Sequence, residues 1–374
     1  MPRVSPVRLS ATLIVRNEAA HLRRCLASIR PFTDEIIVVD TGSTDNSPAV
    51  AAEFGAQLFA IDWQGDFSAA RNHALAHASG DWILYIDADE CARPLNADAL
   101  RVALADPGLV AATVAFRSRT GMTRYHECRL FRNDPRIRFR NVIHETMMND
   151  VHAVAQSDGL RIGRSPLALD HFGYDGDQSA KHRRNIPLLR ARLARDPGHV
   201  YSWNHLGQAL MGVGDVRAAV EAWQRAIDTV RGRGVQGALD ALPYGSLLLF
   251  GGEQVAPGLL DEARARFPAD LLLQWLQGQQ LADAGRFNEA IALLEPLAAI
   301  DPDAFCLDDG IAYDDRIFGE PTWHTLALCH FRLGHYSDSA RYYARAAAAD
   351  PSNASYVAKQ RLAEARAGKV AERS

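Results

Sequence analysis

Two aspartates one residue apart, Asp87 and Asp89, stand directly behind an apolar run at 82–86. Alternate residues of an extended segment project to the same side, so both carboxylates can face one site. Two carboxylates together with diphosphate oxygens form an all-oxygen environment suited to Mg²⁺ or Mn²⁺. A cation held there neutralises the charge that builds on a departing nucleoside diphosphate. A solvated turn is the plainer account of an Asp-x-Asp pair, and placement at a strand end favours the chemical one. Asp40 closes a second apolar run, EIIVV at 35–39, where a base and ribose can lie. Thr41, Gly42 and Ser43 form a tight turn after it. Asp45 then either caps the following helix or faces ligand.

The elements that must position these groups alternate. Composition and patterning predict strands at 9–15, 35–39, 57–61 and 82–86, with helices at 19–29, 46–54 and 67–78 between them. Such alternation argues for a parallel α/β sheet, whose ligands bind at the carboxyl ends of the strands. Three of these ends carry polar sequences: Arg16-Asn17-Glu18, the stretch from Asp40 to Asp45, and Asp87-Ala88-Asp89-Glu90.

From Ser179 the texture changes to long helical patterns rich in Ala, Leu and Arg. Trp203, Leu206, Gly207, Gly214, Ala219, Trp223 and Ala226 fit a tetratricopeptide pattern, which repeats about every 34 residues. Gly251, Ala256, Ala263 and Pro268 continue it, then Gly278, Gly285, Ala290 and Pro302. Trp323, Leu326, Gly334, Tyr343, Ala346 and Pro351 complete a further unit after an insertion at 303–320. The expected organisation is an α/β domain over 1–177 and an all-α repeat solenoid over 178–374, with about four repeats and a linking half-repeat at 181–195. The insertion carries Asp303, Asp308, Asp309, Asp314, Asp315 and Glu320 against Arg316. It reads as a solvated loop or a seat for a basic segment, with Phe305, Tyr313 and Phe318 packing down.

The chain has 374 residues, 48% of them hydrophobic and 23% charged, enough to bury two ordinary cores. A net charge of −4, from 41 basic and 45 acidic residues, argues against a sequence-independent grip on nucleic acid. No apolar run approaches the ~20 residues of a membrane span, and the first residues lack a signal-like apolar core. The five scattered cysteines read as free thiols of a cytoplasmic protein, with Cys91 a packing residue beside the acidic pair.

The runs LSATLIVRNEAAHLRRCLASI, EIIVVDTGSTDNS, DFSAARNHAL and GDWILYIDADE resemble family-two glycosyltransferases of the GT-A fold. The resemblance is strongest to the bacterial branch with a tetratricopeptide tail, which includes peptide S-glycosyltransferases. It implies that Asn17 and Glu18 flank the nucleotide and that Asp40 contacts uridine or an equivalent nucleoside. Asp66 and Arg71 would lie near base and diphosphate, with Asp87 and Asp89 as the metal motif. Glu18 and Asn72 also suit plain roles at a helix start and on a helix surface.

Three later elements follow the same family order: ECRLFRN at 127–133, NVIHE at 141–145 and DHFGY at 170–174. An inverting transfer needs a carboxylate to take the acceptor's proton. Glu145 is the candidate base, followed by Asp170 or Asp175. His171 resembles the late histidine that completes metal coordination in GT-A enzymes. His144 is a further candidate for metal or phosphate, and either histidine also suits a hydrogen-bond network. Arg129 is expected to pair the diphosphate and Arg132 to lie at the surface. The implied activity is metal-dependent, inverting transfer of a hexosyl or N-acetylhexosaminyl group from a UDP-sugar to a peptide or protein, or to a surface glycan or lipopolysaccharide. A nucleotidyltransferase would show a Gly-rich phosphate loop near its start, and Arg16-Asn17-Glu18 supplies none. A non-catalytic scaffold is the reading from another class, and homodimerisation through the repeats is a further possibility for the array.

Overall fold

A computed structural model describes residues 7–93, 95–173, 178–308 and 310–371. Tyr174, Asp175 and Asp309 lie outside the described residues. The chain divides into two compact units: Met1–Thr120, Arg124–Ala219 and Cys306–Gly310 form one, and Gly121–Thr123, Val220–Phe305 and Ile311–Ser374 the other.

The first unit opens with β1 (Leu9–Val15), α1 (Ala19–Ile29), β2 (Glu35–Asp40), α2 (Ser47–Glu53), β3 (Gln57–Ala60), α3 (Phe67–His77) and β4 (Trp82–Tyr85). Helical crossovers make β1, β2, β3 and β4 parallel neighbours, with Val15 opposite Asp40 and Thr12 opposite Tyr85. The polar sequences of three strand ends therefore meet at one edge of the sheet. In β4, Trp82 and Leu84 enter one core with Leu13, Leu22 and Val38, while Ile83 and Tyr85 enter another with Phe131, Phe139 and Val151. Burial on both faces explains why the strand reads as an unbroken apolar run.

The unit continues through β5 (Glu90–Ala92), α4 (Ala97–Leu104), β6 (Leu109–Arg117), β7 (Arg124–Arg132), α5 (Met148–Asp158) and β8 (Arg161–His171). The strand order is β3-β2-β1-β4-β7-β6-β8-β5. The four strands read from the sequence are parallel as expected, and the strands beyond them make the sheet mixed. β7 runs antiparallel to β4 and β6, and β5 antiparallel to β8. The link between β6 and β7 is too short for a helical crossover, so the chain must reverse.

Two helices that were expected beyond the 177/178 boundary, α6 (Ser179–Arg195) and α7 (Val200–Gly212), group with this unit. Leu189 and Leu193 of α6 and Leu206 and Leu210 of α7 are buried. So does β9 (Cys306–Leu307), part of the insertion, which pairs parallel with β7 through Arg124 and Tyr125. Asp308 there bonds Arg164 at 2.5 Å and His126 at 2.8 Å.

The described residues of the second unit are mainly helical: α8 (Val216–Arg233), which begins in the first unit, α9 (Leu242–Phe250), α10 (Leu259–Arg266), α11 (Leu271–Asp283), α12 (Phe287–Ala298), α13 (Glu320–Arg332), α14 (Tyr336–Ala349) and α15 (Ala354–Ala371). Gly285 and Gly334 turn the chain between helices at φ 75° and 80°, a region that L side chains resist. A Cβ at Gly278 would collide with Leu294, so α11 and α12 pack close. Two aromatic residues of the insertion pack down: Tyr313 and Phe318 are buried, and the Tyr313 hydroxyl donates to Asp270 at 3.1 Å. Among the described residues no helix is long and apolar enough to cross a membrane. All five cysteines are free.

Candidate active site

Asp66 caps α3, accepting the Ala69 N–H at 3.1 Å and the Ser68 hydroxyl at 2.7 Å. That start turns Arg71, one helical turn on, into the core, where it is 7% exposed. Its Nη2 donates to Asp87 Oδ1 at 2.7 Å and its Nε to Glu145 Oε1 at 2.6 Å. The guanidinium lies 5.0 Å from the Tyr85 ring centre, a second attraction for a buried cation. Burial opposes the Arg71 charge, and the two carboxylates outweigh it, holding the group protonated. Burial likewise opposes ionisation of Asp87, but Arg71 and then Arg129 hold its carboxyl well below the usual range.

Asp89 meets His171 at the end of β8, with Oδ2 and Nε2 3.1 Å apart. Burial pulls the imidazole down, and its bond to Asp89 more than offsets that, so its pKa rises. The backbone crowds this pair. The Phe172 N–H donates to the Asp89 carbonyl, and a Cβ on Gly173 would overlap the Asp89 carboxylate.

Beneath them lies a buried pair that the sequence reading missed. Glu90 is 1% exposed, accepts the Asp87 N–H at 3.0 Å through Oε2 and pairs with Arg129 at 2.7 Å through Oε1. Burial, against the charge of Arg129, pushes the Glu90 acid up to about 7. Arg129 is expected at a diphosphate, yet its guanidinium is enclosed between the Tyr85 and Phe116 rings, 4.6 and 4.7 Å from their centres.

At the first two strand ends the side chains organise backbone. Asn17, at φ 56°, accepts the Thr44 N–H at 2.7 Å, and Asp40 accepts the Ser43 N–H at 3.1 Å. Asp45 accepts N–H groups of Ser47 and Ala19 at 2.9 and 3.0 Å, tying the starts of α2 and α1 together, while the N-cap position of α2 is Asn46. Glu18 lies close enough to Asp89 that burial, then the Asp89 charge, raise its acid against His21, Lys181 and Arg184. The two last residues come from α6 and bring cations to the site that no motif announced.

The structure thus joins Asp87, Arg71 and Glu145 in one chain of ion pairs and Asp89 with His171 in another. It does not gather His144 with them. The His144 ring packs on Tyr201 and His205 of α7, with centres 4.9 and 4.5 Å away. Burial holds it neutral, its pKa well below 6.5. Asp170, an alternative base, is tied to Arg124 at 2.6 Å. Asn72 exchanges two bonds of 2.8 Å with the Phe139 backbone, a structural role. Arg132 donates to the carbonyls of Leu109 and Asp106, so it clasps backbone and does not stand free at the surface. Among the described residues no three His, Cys, Asp or Glu side chains are gathered as a cation site. Asp89 and His171 do fit two positions on one cation: ligands at about 2.1 Å and right angles stand roughly 3 Å apart.

Residues 10–155 match the family described as Glycosyl transferase family 2, and residues 321–353 match the tetratricopeptide repeat. The first match spans β1 to most of α5 of the mixed α/β unit, and the second spans α13 and α14 of the helical unit. The chain is 42% identical over 219 residues to a TPR repeat-containing protein of Synechococcus elongatus, covering 57% of this chain and 54% of that protein. It is 29% identical over 198 residues to the SPbeta prophage-derived glycosyltransferase SunS of Bacillus subtilis, covering 50% of this chain and 46% of that one. The chain thus spans about half the length of these curated relatives. A solved structure of glucosyl-3-phosphoglycerate synthase from Mycobacterium tuberculosis with Mn²⁺, UDP and glucosyl-3-phosphoglycerate aligns at 18% identity and TM-score 0.38, covering 50% of this chain and 80% of that one.

Proposed function

We propose that this protein is a metal-dependent, inverting glycosyltransferase that moves a sugar from a UDP-sugar to a peptide or protein. The observation that carries the reading is the Arg71 bridge, which ties the strand-end Asp87, 16 residues on from Arg71, to Glu145, 74 residues on. One site then has a carboxylate pair for the leaving-group side and a carboxylate for the acceptor side. Asp89 and His171, with Asp87 beside them, would hold Mg²⁺ or Mn²⁺, which neutralises the diphosphate as it leaves. Asp40, Asn17 and Glu18 border the space for the nucleoside.

Glu145 Oε1 is held by Arg71, so Oε2 is the atom that takes the proton of the acceptor's hydroxyl or thiol. The freed lone pair forms the bond to the anomeric carbon as the carbon–oxygen bond to UDP breaks and its electrons pass to the diphosphate. The anomeric centre inverts. The peptide acceptor rests on the helical repeats, whose usual service is an extended surface for protein segments.

The test is a thermal-shift panel of UDP-, GDP- and dTDP-sugars with and without Mn²⁺. A ligand bound only by the folded state at a hundred times its Kd adds about 2.7 kcal/mol of stability. UDP-sugars should raise the melting temperature with Mn²⁺ present, and Asp89→Asn should lose that shift while melting as the unliganded wild type does. No shift with any nucleotide sugar, or one indifferent to Mn²⁺ and to Asp89→Asn, sinks the reading.

A further inference from the structure

Glu145 sits on a short loop that its own sequence does little to hold. Arg140 and Thr146 close the loop with reciprocal backbone bonds of 3.0 and 3.1 Å. Inside it, Asn141 and His144 adopt left-handed φ values of 81° and 51°, which cost a side-chain-bearing residue energy unless its surroundings enforce them. The enforcing contacts come from three helices. The Phe67 N–H, at the start of α3, donates to the Val142 carbonyl at 3.0 Å. Arg192 of α6 donates to the Ile143 carbonyl at 3.3 Å, its guanidinium steadied by His199 at 2.9 Å. The His144 ring lies edge-on to Tyr201 and His205, which lean on each other with centres 4.2 Å apart.

We infer that Tyr201 and His205 of α7 are positioning residues for Glu145, acting through the ring of His144. His144 and Glu145 are consecutive, so fixing one residue's φ and ring fixes the direction in which the next side chain leaves the backbone. The aromatic contacts anchor His144 on the α7 side, and the Arg71 bond then holds the Glu145 carboxylate beside Asp87. α7 lies beyond residues 10–155, so a helix outside the matched family region supports the candidate base. The inference deepens the proposed function and rests on Glu145 as the base.

Hydrogen exchange on the full-length protein tests it without any substrate. His205→Ala should speed exchange of the 141–146 amides by about tenfold or more and leave 200–212 at the wild-type rate, because only the local opening changes. His205→Phe, which keeps an aromatic face for His144, should restore the loop. Unchanged loop exchange in His205→Ala overturns the inference. Faster exchange across 200–212 as well marks a merely structural role and overturns it equally. A second arm follows Mn²⁺-dependent hydrolysis of UDP-glucose. His205→Ala should lower kcat about tenfold with KM unchanged, since the lost interaction is one of transition-state alignment. Wild-type hydrolysis by Glu145→Gln would remove the base assignment, and with it the catalytic half of the inference, whatever the loop exchange shows.

Discussion

Arg71 is the residue on which the site's charge balance turns. It touches two carboxylates and two aromatic rings while itself almost fully buried. Replacing it with methionine keeps the stem's packing and removes the cation, leaving Asp87 and Glu145 to face each other. Breaking a buried pair by deleting one partner costs roughly 3–5 kcal/mol, and the 35% exposure of Asp87 places this case at or below the lower end, about 3 kcal/mol. Arg71→Met should therefore fold, melt several degrees lower and lose donor hydrolysis, as measured by calorimetry and UDP release. Wild-type stability would mean that the bridge is dispensable. The strand-end placement of Asp87 and Asp89 was legible in the apolar run before them, whereas Glu145, on a loop, was singled out through the family order of NVIHE. Arg71 was legible only as a residue near the nucleotide, since nothing local in SAARN says that its guanidinium turns inward to two acids. The Glu90–Arg129 pair was hidden for a similar reason: a charged residue is normally read as solvated, and only the fold reveals that both lie beneath the sheet edge.

At the scale of elements, the first four strands and three helices were readable within a residue or two, because both faces of β1, β2 and β4 are buried and Asp66, Gly55 and Gly80 punctuate the chain. β5 to β8 were not, since mixed pairing depends on partners far away in sequence. Nor did the repeat pattern reveal that α6 and α7 group with the first unit, because small and aromatic residues at helical spacing look alike whatever they pack on. That packing has a measurable consequence. Burial first, then the charge of His199, lower the His205 pKa from 6.5 to about 4. As pH falls through that interval the unfolded chain takes up a proton that the folded chain refuses. The folded state is thus at full strength above about 6.5 and loses stability toward pH 4, by roughly 3 kcal/mol at about 1.4 kcal/mol per unit. His205→Phe should flatten this part of the stability–pH curve, as followed by urea unfolding between pH 7 and 4.5. An unaltered slope would place the acid sensitivity elsewhere, with His144 next.

For the whole molecule, the question is what the second unit adds to the unit in which the donor chemistry is proposed. A truncation cannot answer it cleanly. A cut at 178 removes Arg192, Tyr201 and His205, and any cut before 306 removes β9 from the sheet of the first unit. The question is better put to the intact chain. On α9, Leu249 and Phe250 are 45% and 54% exposed, with the Phe250 ring 6.1 Å from that of the buried Trp223. These adjacent exposed apolar side chains give α9 an outward apolar face that a partner can cover. If that surface recruits a polypeptide acceptor, Leu249→Ser with Phe250→Ser should reduce sugar transfer to native-lysate protein by about tenfold or more, as expected for loss of a central apolar anchor. Hydrolysis of the donor by water should be unchanged, because water needs no recruitment. Light scattering on the same variant separates the other use of such a face: a dimer that becomes a monomer, with transfer intact, would assign α9 to self-association. Equal loss of transfer and hydrolysis would instead mean that the substitutions had damaged the catalytic unit, and recruitment through α9 would be rejected.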